Sequence, residues 1–143
     1  MNLSSEHQVF LQHSLIARIS VVDDRGYPHT VPIWYALDGN DLMFFSSRGA
    51  RKIGYVQSNP KGAVSLGGEP YGAEGYLLKG EFSLEEDTHH HWLSEIVHRY
   101  EPVELADQHV ADWGQSDLVL MRFRVEKVSR ITEETCSFYP GGW

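Results

Sequence analysis

Arg48, Arg51 and Lys52 stand a few residues from Ser46 and Ser47 in a chain whose formal net charge is -8. Cations and hydroxyls gathered in one stretch of an acidic protein are equipment for holding a small phosphorylated ligand. The surrounding run, residues 41–60, DLMFFSSRGARKIGYVQSNP, indicates how they are positioned. Leu42, Met43, Phe44 and Phe45 form an apolar run of strand length, the small residues that follow break it, and Ile53 and Val56 recur at helical spacing before Asn59-Pro60 ends the helix. The cations therefore sit where a helix begins, and a helix N-terminus adds unpaired N–H groups and partial positive charge. A solvated basic turn paired with some of the 20 Asp and Glu residues would have the same composition, and such surface pairs contribute only about 0 to 1 kcal/mol.

Other residues capable of chemistry are less ordered in their spacing. His89, His90, His91, Glu95 and His98 fall in one helical stretch, where His91, Glu95 and His98 could share a face. They match no established ligand motif, adjacent histidines diverge by about 100° on a helix, and no metal site is assigned. His29 and Tyr35 flank Pro32-Ile33-Trp34 and could reach a substrate, although solvent-facing strand positions explain them equally well. Trp34 itself is read as core before it is read as ligand contact. The glycine-rich loop at 67–75 matches no dinucleotide or P-loop spacing and receives no phosphate role.

The elements around these residues follow from periodicity. Ser5 with Gln8 fits a capping box, predicting a helix over residues 5–13 with Val9 and Phe10 inward. Residues 15–22 and 28–37, separated by Asp23-Asp24-Arg25-Gly26, predict an antiparallel hairpin, and a second turn at residues 38–41 delivers the chain into the strand of Leu42 to Phe45 as the third member of a meander. Pro32 places its strand at an edge or a bulge. Strands follow at 62–66 and 76–84, with a bulge at Gly80, then an amphipathic helix at 87–100, an irregular helix at 101–115 and a closing strand at 117–131. Val119, Met121, Phe123 and Val125 face one way along that last strand. The outcome is a mainly β (α+β) fold, six antiparallel strands in a closed or partly closed barrel with two or three peripheral helices. The aromatic tail, residues 132–143, is expected either to extend across a partner subunit or to fray.

With 143 residues and 16.3 kDa, the chain is read as one domain, residues 1–143. No apolar run is long enough for a membrane-spanning helix, and a pI near 5.4 opposes binding to a nucleic-acid backbone. The N-terminus lacks the layout of a secretion signal and the single Cys136 has no internal partner, so a cytoplasmic location is expected.

The run GYPHTVPIWYALDGNDLMFFSSRGARKIGYVQSNPKGAVSL resembles the pyridoxamine 5'-phosphate oxidase-like superfamily, flavin-binding split β-barrels that also include deazaflavin-dependent reductases. The carriers are Gly26 and Pro28, Pro32-Ile33-Trp34, Phe45 with Ser46, Arg51-Lys52, and Asn59-Pro60. With less specificity the resemblance extends to the strand ending near Ile131. Ala50 stands where the oxidases place a serine, their glutamine near Gly75 is replaced, and their C-terminal Trp followed by Arg is not found. The chain therefore looks closer to the general flavin and deazaflavin reductase branches than to the oxidase itself.

The resemblance implies a homodimer with two FMN sites at the interface. Ser46, Ser47, Arg51 and Lys52 would hold the phosphate, and Val31, Pro32, Ile33 and Trp34, with Phe45, would border the ring. It implies an oxidoreductase that moves hydride through the flavin to or from a small molecule, with no acid or base residue assigned. A deazaflavin cofactor is the nearest variant, though its polyglutamate tail would want more surface Lys and Arg. A flavin- or haem-binding protein without enzymatic activity, or a cofactor-free structural protein, is the rival class.

Overall fold

The computed structural model describes residues 2–69 and 73–131; the tail and the middle of the glycine-rich loop lie outside them. Its elements in order are α1 (Ser5–Leu11), β1 (Ala17–Val22), β2 (Pro28–Ile33), β3 (Ala36–Asp38), β4 (Asp41–Ser47), α2 (Arg51–Ser58), β5 (Lys61–Gly67), β6 (Gly75–Glu85), a 3-10 turn (Thr88–His90), α3 (His91–Tyr100), α4 (Val103–Trp113) and β7 (Leu118–Arg130). The strands form one antiparallel seven-stranded sheet in the order β2-β1-β5-β6-β7-β4-β3. Its two edge strands are consecutive in the chain, so the sheet curls until its edges meet at Trp34-Tyr35 without a ladder joining them. This is a split barrel, and it is not closed.

The expected strand at 28–37 is thus two strands, which makes the count seven rather than six. β2 pairs with β1, whereas β3 pairs with β4. The meander is corrected too, because the other side of β4 is taken by β7 rather than by β2. The break has a packing cause. Tyr35 is fully buried and its hydroxyl donates to the carbonyls of Leu11 and His13, while Trp34 lies flat on the Tyr100 ring at 4.8 Å. Two successive side chains anchored to different partners redirect the chain from one edge to the other. Pro32 lies in the edge strand β2, as its missing N–H requires.

Leu42 and Phe44 face the barrel interior with Ile19, Val64, Leu78, Met121 and Phe123. Met43 and Leu120 lie on the opposite face, covered by Ile96 of α3. Burial on both faces explains why β4 reads as a continuous apolar run instead of an alternating one. The predicted bulge falls between Lys79 and Gly80, where a Cβ on residue 80 would lie 2.0 Å from the carbonyl oxygen of Arg124.

Among the described residues there are four α-helices rather than two or three. α1 is capped by Ser4, whose hydroxyl accepts from the His7 N–H, not by Ser5; Val9 is 61% exposed and Leu11 takes the inward place. The helix expected at 87–100 opens with His89 and His90 in left-handed backbone, at φ 58° and 56°. This reversal lets the Asp87 carboxylate accept from the N–H groups of Trp92 and Leu93 and so cap α3. α3 and α4 form an excursion between β6 and β7, which pair directly up to Glu85↔Leu120.

Candidate functional site

Where β2 diverges from β4 the split leaves a groove. One compartment, of about 390 Å³, is lined by Val31, Pro32 and Ile33 from β2, Phe45, Ser46 and Ser47 from β4, Lys52 from α2, and Trp113, Ser116 and Leu118 from the end of α4 onward. A second, of about 350 Å³, shares Pro32, Ile33, Phe45 and Trp113 and adds Trp34. Both volumes suit a small molecule. The first is polar at the Lys52 end; the second is apolar and aromatic throughout.

The cations expected to act together point in different directions. Arg48 is held by the protein's own carboxylates, both Glu86 oxygens at 2.8 Å and Asp117 at 3.0 Å. Arg51 is exposed and lines a separate cavity with Arg48, Gly54, Gln57 and Leu84. Only Lys52 enters the groove. It is half-buried, pairs with no carboxylate among the described residues, and burial lowers its ammonium below the usual lysine range. Nearby, Ser46 is buried, its hydroxyl donating to the Ser47 carbonyl at 3.0 Å, and Ser47 is exposed. Ala50 supplies no side-chain cap to α2, so the N–H groups of its first turn have no side-chain acceptor.

Of the nine residues expected to contact a cofactor, the groove therefore assembles Val31, Pro32, Ile33, Trp34, Phe45, Ser46, Ser47 and Lys52, and leaves Arg51 on the far side of α2. Trp34 serves as wall as well as packing, because its other face is open to the second compartment. Tyr35 does not reach the groove; its hydroxyl is consumed by backbone carbonyls and its pKa is driven up by burial. His29 packs edge-on against Tyr55 at 5.5 Å. Trp113, Ser116 and Leu118 were not expected. Trp113 reads as one more apolar residue on an irregular helix, and nothing in its spacing relates it to Phe45. In the histidine-rich stretch, both His98 ring nitrogens are bonded, to the Ser94 carbonyl and to Asp107, which raise its pKa in that order.

Solved structures share this backbone with little of the sequence. An F420 reductase superposes with a TM-score of 0.69 at 20% identity, covering 89% of this chain and 98% of that one. HutZ, the haem storage protein of Vibrio cholerae, gives 0.67 at 17% identity over 92% and 95%. A FAD-binding protein of Mesorhizobium loti gives 0.61 at 23% over 90% and 94%. Together these likenesses define the split-barrel class. The chain belongs to the pyridoxamine 5'-phosphate oxidase family, whose model matches residues 3–131. No curated protein matches it by sequence. Among the described residues no helix is long and apolar enough to cross a membrane.

Proposed function

We propose that this protein is an FMN-dependent oxidoreductase that moves hydride to or from a small molecule, acting as a cytoplasmic homodimer with its cofactor sites at the interface. The observation that carries the reading is Lys52: a half-buried ammonium with no counter-charge among the described residues, at the polar end of a groove whose other end is aromatic. Burying an unpaired charge is costly unless a ligand completes the pair. A phosphate does so, and it is received by Lys52, by Ser47 and by the uncapped first turn of α2. Ser46 braces that end through its bond to the Ser47 carbonyl. Residues 31–34 and Phe45 supply the flank for a flat ring system.

When bound, FMN would supply the hydride-transfer chemistry, with Lys52 and Ser47 holding its phosphate and residues 31–34 and Phe45 flanking its ring. Among the described residues no side chain lining the groove other than Lys52 is a titratable acid or base, which suits chemistry resident in a cofactor. The lining, among the described residues, offers no His, Cys or Met to ligate a haem iron. With one cation in the groove, it also favours FMN over a deazaflavin carrying a polyglutamate tail. Exposed Pro28 and Pro32 keep the β2 edge from extending by strand addition, so a second protomer would cover the groove with side chains.

The absorbance spectrum of the purified protein, before and after adding FMN, tests the cofactor. Two bands in the near-ultraviolet and blue are expected; a Soret band, a single deazaflavin band, or a colourless protein with no affinity for FMN would overturn the assignment. Sedimentation tests the dimer, and a monomer at micromolar concentration would refute it.

A further inference from the structure

The aromatic compartment is built differently from the Lys52 compartment. Trp113 stands 6.2 Å from Phe45 and 6.4 Å from Trp34, ring centre to ring centre. Each indole is backed by a second ring lying nearly parallel to it. Trp34 rests on Tyr100 at 7° between planes, and Trp113 rests on His109 at 4.2 Å and 11°. The backing rings are themselves pinned. The Tyr100 hydroxyl donates to the Leu15 carbonyl and accepts from the Tyr35 N–H. His109 Nδ1 lies 2.6 and 2.9 Å from the two carboxylate oxygens of Glu101, whose side chain is only 10% exposed. Neither Glu101 nor His109 lines the groove. A buried carboxylate and an imidazole on the α3–α4 excursion thus fix the plane of an indole that does.

We propose that Trp113 is the specificity-determining wall of the groove, that the Glu101–His109 pair is its positioning device, and that the space against Trp113 left beside the flavin ring takes an uncharged planar aromatic molecule as second ligand. This rests on the reading of the Lys52 compartment as the FMN site. Among the described residues the second compartment has no charged lining residue, so it does not compete with Lys52 for the cofactor's anionic end. Flat π-faces held at fixed tilt favour a flat ligand lying against them, stacked or edge-on. A charged ligand would leave its hydration there without a counter-charge.

The test compares three probes on the protein as purified and again with FMN added: 2-naphthol, its anionic relative 2-naphthoate, and the cation phenyltrimethylammonium. 2-Naphthol is expected to bind about 10-fold more tightly than either charged probe. Trp113→Ala and His109→Ala each weaken 2-naphthol about 10-fold, and Trp113→Phe restores most of it. FMN affinity changes less than about 3-fold in His109→Ala, whose side chain does not line the Lys52 compartment, since charge-assisted bonding at Lys52 is untouched. Glu101→Gln, which still offers His109 an acceptor, behaves like the wild type, whereas Glu101→Ala behaves like His109→Ala. A role confined to holding the helices together would lower thermal stability yet leave the near-ultraviolet circular dichroism of the folded Trp34–Trp113 pair intact; loss of that signal in His109→Ala at temperatures where the variant is folded is expected. Equal binding of 2-naphthoate, preference for the cation, or indifference of 2-naphthol to both Trp113→Ala and His109→Ala overturns the proposal. Because 2-naphthol is titrated with and without FMN, failure of FMN to bind strikes the cofactor reading alone.

Discussion

Replacing Lys52 by Ala, beside Arg51→Ala as a control, separates two cations that are adjacent in sequence but face different cavities. Lys52 is half-buried in the groove without a counter-charge among the described residues. Its bond to a phosphate is therefore charge-assisted and partly shielded from water, worth about 1.5 to 3 kcal/mol, which is about 10- to 150-fold in affinity. Arg51 is exposed and faces the other cavity. Its influence on the same phosphate passes through solvent, about 0 to 1 kcal/mol and screened over about 10 Å at 0.1 M salt, so about 5-fold at most. Quenching of flavin fluorescence measures both variants, and riboflavin, which lacks the phosphate, serves as internal reference. Lys52→Ala should bring FMN affinity down towards that of riboflavin and leave riboflavin unchanged; Arg51→Ala should change neither greatly, and what it changes should vanish at high salt. Equal losses for FMN and riboflavin in Lys52→Ala would show that the lysine supports the ring or the fold instead of the phosphate. A larger loss from Arg51→Ala would refute the geometric assignment outright.

The same lysine predicts a pH effect on stability. Its folded pKa lies below the ordinary 10.5, so the unfolded chain binds the proton more tightly and its burden on folding is full at neutral pH and lifts as pH rises towards 10.5. Lys52→Met should therefore melt higher than the wild type at pH 7 without ligand, with the gap closing as pH approaches 10; a gap that widens would reverse the sign. Gly80→Ala forces a Cβ to within 2.0 Å of the Arg124 carbonyl oxygen across the bulge, and urea denaturation should show a loss above about 2 kcal/mol. A loss under about 0.5 kcal/mol would mean that the bulge adapts freely.

Much of this architecture is legible in local chemistry. The unbroken run from Leu42 to Phe45 marks a strand buried on both faces, Pro32 marks an edge, and Gly80 marks a bulge because only a missing side chain fits there. That residues 31–34 meet Phe45, Ser46, Ser47 and Lys52 is visible too, through the resemblance that ties those two stretches together. What stayed hidden depends on direction or on distant partners. Arg48, Arg51 and Lys52 are equivalent as composition, and only the folded positions of Glu86, Asp117 and Phe45 decide that one is neutralised, one faces away and one enters the site. Trp34 and Tyr35 carry no turn signal; the chain breaks there because Tyr100, Leu11 and His13 claim those side chains from elsewhere. Ser4 and Ser5 are equally good caps, and the helix begins one residue earlier than the capping box suggests. Trp113 approaches Phe45 across a separation that no periodicity spans.

Because β6 and β7 pair directly up to Glu85↔Leu120, the chain between them could be shortened to a tight hairpin without loss of a single rung of the ladder. That interlude is what brings Trp113 and Ser116 to the groove, while Ser46, Ser47 and Lys52 come from β4 and α2. Diversification of such a protein can therefore proceed by rewriting one cassette: the anchor for a common cofactor is inherited with the scaffold, and the choice of what meets it is exchanged separately.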